Sequence, residues 1–303
     1  MKTKVTKAII PAAGYGTRFL PITKSIPKEM LPIVDVPVIQ YIVKEVVESG
    51  IKDILIVVSS NKNALIDYFD SNFALETNLI NKKKMKELKS INDVTQLANI
   101  QYVRQKYPLG LGDAILCAKS FINDEPFAVI LGDDIIRNRN KKNTPGLKQC
   151  INIFNKTKKM ILGVQHVLHE DTKKYGIVNP AIKLENNHLS SFEINGIIEK
   201  PNPDQAPSDF AAIGRYILPP SIFSEIEKLE PSERGEIELT PALQNIIKKH
   251  GAYACNIIGE RYDTGAKFGL IKAILDEALF HDEVKEEVKD YIHFLNNKLN
   301  IKE

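Results

Sequence analysis

The residues best suited to chemistry in this sequence are cations around a glycine turn and carboxylates at the ends of apolar runs. Pro11–Ala12–Ala13–Gly14–Tyr15–Gly16–Thr17–Arg18 follows the apolar run Ala8–Ile9–Ile10. A glycine turn at a strand end exposes backbone N–H groups that can wrap an anion, and glycine lets a phosphate come close. The same turn also serves as a plain strand-to-loop connection. Two well-known phosphate loops are excluded. A dinucleotide fingerprint needs glycine where Phe19 stands, which also argues against a nicotinamide-dependent dehydrogenase, and no Gly-Lys-Ser/Thr follows to make a P-loop. Arg18 adjoins the turn, and Lys28 comes within a segment that Pro21, Pro27 and Pro32 hold extended. Both cations can therefore address one polyphosphate, Arg through planar multidentate contacts and Lys as a compact charge. Taken singly, each is a typical solvated side chain.

Val129–Ile130–Leu131–Gly132–Asp133–Asp134 reads as a buried strand that delivers a carboxylate to the sheet edge where open α/β folds bind ligands. A hard oxygen donor there suits Mg²⁺, which takes one or two carboxylates plus substrate phosphates. A loop-capping Asp is the competing account. Tyr262–Asp263–Thr264–Gly265 supplies a second carboxylate that could share the metal, or could cap a helix beginning near Lys267. Ile197–Ile198–Glu199–Lys200–Pro201 sets a carboxylate beside an ammonium, a pair suited to sugar hydroxyls and a phosphate, although Glu-Lys pairs are common on surfaces. In Tyr175–Gly176–Ile177–Val178 and Gly214–Arg215–Tyr216 a glycine would let backbone groups reach a ligand. Gln105 precedes Gly110 in a glycine-bearing loop, where a side-chain amide can read a base edge. His166, His169 and His188 lack metal-ligand spacing and read as structural or surface. Lys82–Lys83–Lys84 reads as a solvated helix face, and Cys117 as core.

These groups need a scaffold. Short apolar runs at 8–10, 54–58, 100–103 and 127–131 alternate with helical patterns at 37–49, 63–70 and 113–121. That βαβ rhythm predicts an α/β fold, a doubly wound, mixed but mostly parallel sheet with helices on both faces. Beyond about residue 160, runs at 161–167, 176–178, 192–198 and 210–217 are separated by Gly, Pro and Asn, which predicts a mixed extension of the sheet. Helices follow at 220–229 and 241–248, with a strand at 253–258 between them and the C-terminal helices 267–280 and 282–299. On this reading residues 1–265 form one unit whose pattern changes between a first part of about 1–140 and a second of about 141–265. Residues 266–303 form a helical extension in which the stripe from Phe268 to Leu279 packs as core or meets a second subunit.

The 303 residues carry 41 Lys and Arg against 38 Asp and Glu, a net +3, which excludes a strongly basic nucleic-acid binder and an acidic tail. With 43% hydrophobic residues the chain can bury an ordinary core. Cys117, Cys150 and Cys255 show no CxxC spacing, so neither a disulfide framework nor a zinc site is indicated and a reducing compartment is expected. No apolar run approaches the ~20 residues of a membrane helix, and no secretory signal is visible. A cytoplasmic protein without membrane or nucleic-acid partners is the expectation.

Taken in order, the segments resemble the sugar-phosphate nucleotidyltransferase family. The stretches that carry the likeness are 8–21, Pro27–Lys28–Glu29–Met30–Leu31–Pro32–Ile33–Val34–Asp35, 39–41, 109–114, 131–134, 175–178, 199–201 and 262–265. Tyr15 and Ala266 depart mildly from the family pattern. The resemblance implies a Rossmann-like nucleotidyltransferase fold, with residues 1–265 as a catalytic domain (nucleotide half about 1–140, sugar-phosphate half about 141–265), and, from Ala-Ala-Gly rather than Ala-Gly-Gly, uridine in preference to thymidine. It implies UTP and glucose 1-phosphate as substrates, Mg²⁺ as cofactor, UDP-glucose and pyrophosphate as products, and a homo-oligomer, dimer or tetramer. It also implies roles. Arg18, Lys28 and Asp133 would be catalytic, with Asp133 and Asp263 on the metal. Ala13, Gly14, Gly16, Thr17, Glu29, Gln105 and Gly110 would bind the nucleotide, and Gly176, Glu199, Lys200 and Gly214 the sugar phosphate. A non-catalytic nucleotide-sugar-binding or regulatory paralogue on the same fold, or a thymidylyltransferase, is the alternative.

Overall fold

A computed structural model describes residues 4–139, 144–182, 189–233 and 235–299; His188 lies outside them. The first half begins with β1 (Lys7–Pro11), β2 (Pro32–Ile33), β3 (Val36–Pro37) and α1 (Val38–Glu48). It continues through β4 (Asp53–Val58), α2 (Asn63–Phe69), α3 (Phe73–Asn81), α4 (Met85–Thr95) and β5 (Asn99–Arg104). Next come α5 (Leu111–Leu116), α6 (Lys119–Ile122), β6 (Phe127–Ile130) and β7 (Asp134–Arg137). The second half contributes α7 (Gly146–Thr157), β8 (Met160–His166), β9 (Gly176–Pro180), β10 (Ser191–Glu199) and β11 (Phe210–Leu218). The chain then forms α8 (Ile222–Ile226), α9 (Leu239–His250), β12 (Ala252–Asn256), β13 (Glu260–Asp263), α10 (Lys267–Ala278) and α11 (Lys285–Leu299).

Nine strands form one sheet in the order β5-β4-β1-β6-β11-β8-β12-β10-β9. The first four are mutually parallel, as expected of strands joined through helices. The expectation of a mostly parallel sheet fails beyond β6. Of the remaining neighbours only β8 and β12 pair parallel, while β6–β11, β11–β8, β12–β10 and β10–β9 are antiparallel. The cause is visible in the chain, because this half connects strands through turns rather than through a helix each time.

Side chains alternate across the strands and fill two cores. Ala8, Ile10, Ile54 and Ile56 meet Ile39, Ile42, Val43 and Val46 of α1 together with Leu147 and Cys150 of α7. Ile9, Leu55 and Val57 point the other way, into a cluster with Ile115 of α5 and Leu243 and Ile246 of α9. Burial on both faces explains the uninterrupted apolar runs. No described helix is long and apolar enough to cross a membrane.

Two local expectations change and one is narrowed. Residues 73–95 form two helices, and Lys82 and Lys83 lie in the turn between them rather than on a helix face, with Lys83 at φ 56°. The 113–121 helix is two shorter ones. On α10 the buried side is Leu270 and Ala273, whereas Phe268 is 77% exposed and Ile271 and Leu275 also face outward. Most of the stripe therefore faces outward, as its second-subunit alternative requires, while Ile274 packs partly against the core.

One buried ion pair ties the two halves together. Arg215 of β11 is fully buried; its Nη2 donates to Glu45 Oε2 at 2.6 Å and its Nε to Oε1 at 3.2 Å. The backbone N–H of Leu147 also donates to Oε1, at 2.8 Å. Burial alone would lower the Arg215 pKa, but the Glu45 carboxylate outweighs it and raises it. Glu45→Leu strands a buried guanidinium and should cost about 3–5 kcal/mol, with most of the loss recovered in Glu45→Leu/Arg215→Met. Urea unfolding checks this, and a single-variant loss under about 1 kcal/mol would contradict it.

Candidate active site

β1 lies between β4 and β6, so the loop after Pro11 leaves the carboxyl ends of parallel strands, the edge where open α/β sheets gather ligands. Gly16 there sits at φ 66°, and a β-carbon would lie 3.0 Å from Lys28 Cβ and 3.2 Å from Thr23 Cγ2. The Thr23 hydroxyl donates to the Gly16 carbonyl at 2.8 Å. Only glycine meets both the backbone and the space requirement.

The loop borders a cleft of about 560 Å³ that gathers Ala13, Gly14, Gly16, Thr17, Lys28, Gln105, Gly110 and Asp133. Lys28 Nζ donates to Asp133 Oδ2 at 2.5 Å. Burial would lower the Lys28 pKa, yet the Asp133 and Glu29 carboxylates together raise it, so the ammonium keeps its charge. Arg18 is exposed on the rim and outside the cleft wall, but close enough to push the Lys28 pKa down. The Gln105 amide nitrogen donates to the Gly110 carbonyl at 3.1 Å and to Asp113 Oδ2 at 2.7 Å. Its amide orientation is thereby set.

The second carboxylate arrives through a separate two-stranded ribbon. β7 and β13 pair antiparallel with Asp134 opposite Asp263. Asp133 and Asp263 converge at Gly265, where a β-carbon would lie 2.7 Å from Asp133 Oδ2 and 3.1 Å from Asp263 Oδ1. Asp263 does not cap α10, whose first turn follows Ala266 without a side-chain cap; its Oδ1 accepts from the Gly265 N–H at 3.1 Å. Among the described residues no group of three or more His, Cys, Asp or Glu is arranged to hold a metal. Asp133 on the cleft wall, with Asp263 meeting it at Gly265, nonetheless fits the donor set of Mg²⁺, which takes one or two carboxylates and completes its shell with phosphates and water.

A second cleft of about 230 Å³ contains Gly176, Glu199 and Lys200 with Tyr175, Glu238 and Thr240. Leu111, Leu131 and Glu236 line both clefts, so the two adjoin. The Thr240 hydroxyl donates to Glu199 Oε2 at 2.6 Å, and Lys200 Nζ lies 2.9 Å from Glu199 Oε1. Behind Tyr175 stands the buried Asp134, whose oxygens accept from Arg261 Nε at 2.8 and 2.9 Å. The Arg261 guanidinium lies 4.8 Å from the Tyr175 ring centre. Burial pushes the Asp134 carboxyl pKa up even beside that cation.

Besides Arg18 and Asp263, which line neither cleft, two expected residues lie elsewhere. Glu29 does not line the cleft: it is 1% exposed, and its Oε2 accepts from Lys62 Nζ at 2.7 Å. Its Oε1 has no hydrogen-bond partner among the described residues, and burial pushes its pKa up. Gly214 is buried in β11 at φ 70°, and a β-carbon there would lie 2.7 Å from Leu131 Cγ. It lets the strand close on Leu131, whose N–H donates to the Gly214 carbonyl at 2.9 Å. Lys62, Glu236, Glu238 and Thr240 escaped the sequence reading. The alternating Glu236–Ile237–Glu238–Leu239–Thr240 was a visible signal, whereas Lys62, among Asn residues, looked like loop surface.

A family model described as nucleotidyl transferase matches residues 7–278. The chain belongs to the nucleotidyl transferase family. It is 48% identical over 297 residues, 98% of each chain, to UTP–glucose-1-phosphate uridylyltransferase 2 of Streptococcus pyogenes serotype M3. It superposes with TM-score 0.87 on UTP-bound UGPase from Acinetobacter baumannii, 38% identical, covering 95% of this chain and 98% of that one. A UDP-glucose pyrophosphorylase complexed with UDP-glucose matches with TM-score 0.82 at 42% identity, covering 91% of this chain and all of that one.

Within this nucleotidyl transferase the strand position of Gly214 yields a discriminating variant. Gly214→Ala should destabilise the protein by about 1–3 kcal/mol through overpacking and a strained left-handed backbone. Thermal denaturation measures the loss. Weakened ligand binding with stability intact would instead return Gly214 to the binding set.

Proposed function

We propose that this chain transfers the uridylyl group of UTP to glucose 1-phosphate, forming UDP-glucose and releasing pyrophosphate. The observation that carries the reading is the pair of adjoining clefts. One is walled by a glycine loop and Lys28, the other by Glu199 and Lys200, with Asp133 on the nucleotide side of their shared wall.

The reaction is a single in-line displacement. A phosphate oxygen of glucose 1-phosphate forms a bond to the α-phosphorus of UTP, and the α–β bridging oxygen departs with the pyrophosphate. The substrate brings its own nucleophile, so the protein's task is to position two polyanions and offset their repulsion. Two unit charges 4 Å apart repel by ~4 kcal/mol at an effective dielectric near 20. Lys28 faces the triphosphate and the departing pyrophosphate, with Arg18 adding charge from the rim. Lys200 takes the sugar phosphate. Glu199, oriented by Thr240, accepts from glucose hydroxyls, and Gly176 opens room for the ring beside it. The Gln105 amide oxygen, which accepts no hydrogen bond among the described residues, is placed to receive the uracil N–H, next to Ala13 and Gly110. Asp133 and Asp263 would hold Mg²⁺, which supplies the positive charge that lets carboxylates and phosphates share one space.

An assay of pyrophosphate release across UTP, dTTP, ATP and GTP with several sugar 1-phosphates tests the reading. UTP with glucose 1-phosphate should be preferred. Asp133→Asn and Lys28→Ala should each lower kcat about 10²–10³-fold, the range found when a preorganised electrostatic group is removed. Chelation should stop turnover and added Mg²⁺ restore it. Tight UDP-glucose binding without turnover would favour the non-catalytic paralogue instead.

A further inference from the structure

Lys62 takes part in none of the roles above, yet it is 3% exposed and fully engaged. Its ammonium donates to the Gly14 carbonyl at 2.9 Å and to Glu29 Oε2 at 2.7 Å. It lies just ahead of α2 and reaches beneath the loop that follows β1. A buried ammonium needs a carboxylate partner, and Glu29 supplies it. The second contact is the informative one. In a trans peptide the C=O and N–H point in opposite directions. A Gly14 carbonyl drawn into the interior by Lys62 therefore turns the N–H of Tyr15, the other end of the same peptide, away from Lys62 and outward. Gly14, Tyr15 and Gly16 all border the cleft, and their N–H groups donate to no acceptor among the described residues. Outward-facing amides with nothing in the chain to bind are what an anion requires. The Thr23 hydroxyl on the Gly16 carbonyl fixes the loop two residues further on.

From this geometry we infer that Lys62, neutralised by Glu29, is a positioning residue that turns the Tyr15 amide toward the phosphate chain of the nucleotide. The inference rests on the proposed function for the identity of that chain, but its physical content is affinity for a polyphosphate. It also accounts for Glu29, which serves the nucleotide through Lys62 rather than by touching it.

The test uses the full-length protein and inorganic pyrophosphate as the probe, with binding measured by calorimetry at fixed Mg²⁺. Lys62→Met should bind pyrophosphate about tenfold more weakly, the scale of one lost charge-assisted contact, and the rise should fall on the KM for UTP rather than on kcat. Thermal stability should also fall, since Glu29 is left buried and unpaired. Lys62→Met/Glu29→Met removes that stranded carboxylate. Its melting temperature should recover while its pyrophosphate affinity stays low, a separation that a merely structural role does not produce. Lys62→Arg should restore part of the affinity. Pyrophosphate affinity within twofold of wild type in Lys62→Met, or affinity that returns together with stability in the double variant, would overturn the inference. Lys62-dependent pyrophosphate binding in a protein that turns over no nucleoside triphosphate would support it while removing the functional reading.

Discussion

Lys28 and Asp133 are 105 residues apart in the chain and meet at 2.5 Å. That contact holds together everything on the nucleotide side. It draws the segment after the glycine loop over the end of β6, and it places a cation and a carboxylate at one point of a phosphate-sized cleft. A site for polyanions cannot be made of cations alone, because unpaired ammonium groups would repel one another before ligand arrives. Here each cation near the cleft is held by an acid. Lys28 has Asp133, Lys62 has Glu29 and Lys200 has Glu199. Arg18, on the solvent-facing rim, has water to screen its charge instead.

The same device recurs deeper in the protein, where no ligand reaches. Glu45–Arg215 and Asp134–Arg261 are buried ion pairs that cross between secondary elements distant in sequence. Such pairs contribute little net stability compared with well-packed apolar side chains, since removing the charges from water offsets most of the attraction. What they do provide is geometry. Asp134 fixes Arg261, Arg261 packs over Tyr175, and the Tyr175 carbonyl accepts from the Lys200 N–H at 2.9 Å. Asp133 immediately precedes Asp134, and Asp263 lies two residues beyond Arg261. The ribbon of β7 and β13 therefore positions Asp263, and through Asp134 the adjacent Asp133, with the same residues that brace the loop at Tyr175.

How much of this was legible in the sequence depended on whether a feature was local. The strand-loop at 8–18, the strand ending at Asp133 and the pair Glu199–Lys200 each carry their signal within a few residues, and the structure brings them to two adjoining clefts. Glu29 was misplaced because adjacency in the chain put it beside Lys28, whereas Lys28–Met30 is a turn of 3₁₀ helix rather than the extended segment the prolines suggested, and Glu29 turns inward to Lys62. Gly214 resembled a ligand-approach glycine. Its space is taken by Leu131, a neighbour that only sheet pairing reveals. The stripe on α10 followed the correct helical spacing, but spacing alone does not say whether a face meets the sheet or stays outward. Lys62 was invisible for the same reason: both of its partners are remote in sequence.

The unequal character of the sheet has a chemical logic. Parallel strands leave all their carboxyl ends along one edge, and β1 and β6 use that edge for the glycine loop and Asp133, groups that thereby share one cleft. A sugar needs contacts from several sides instead of one. β9 and β10 pair antiparallel, so the start of one, Gly176, lies opposite the end of the other, Glu199, and a ring can be approached from two strands at a single point. The third side comes from the segment after α8, where the Ile237 N–H donates to the Leu109 carbonyl at 2.6 Å and its carbonyl accepts from the Gly112 N–H at 2.8 Å. A β-carbon on Gly112 would lie 2.7 Å from that Ile237 oxygen. Absence of side chains at this seam is thus what lets the wall of the nucleotide cleft and the wall of the sugar cleft be one backbone contact, with Glu236 exposed to both.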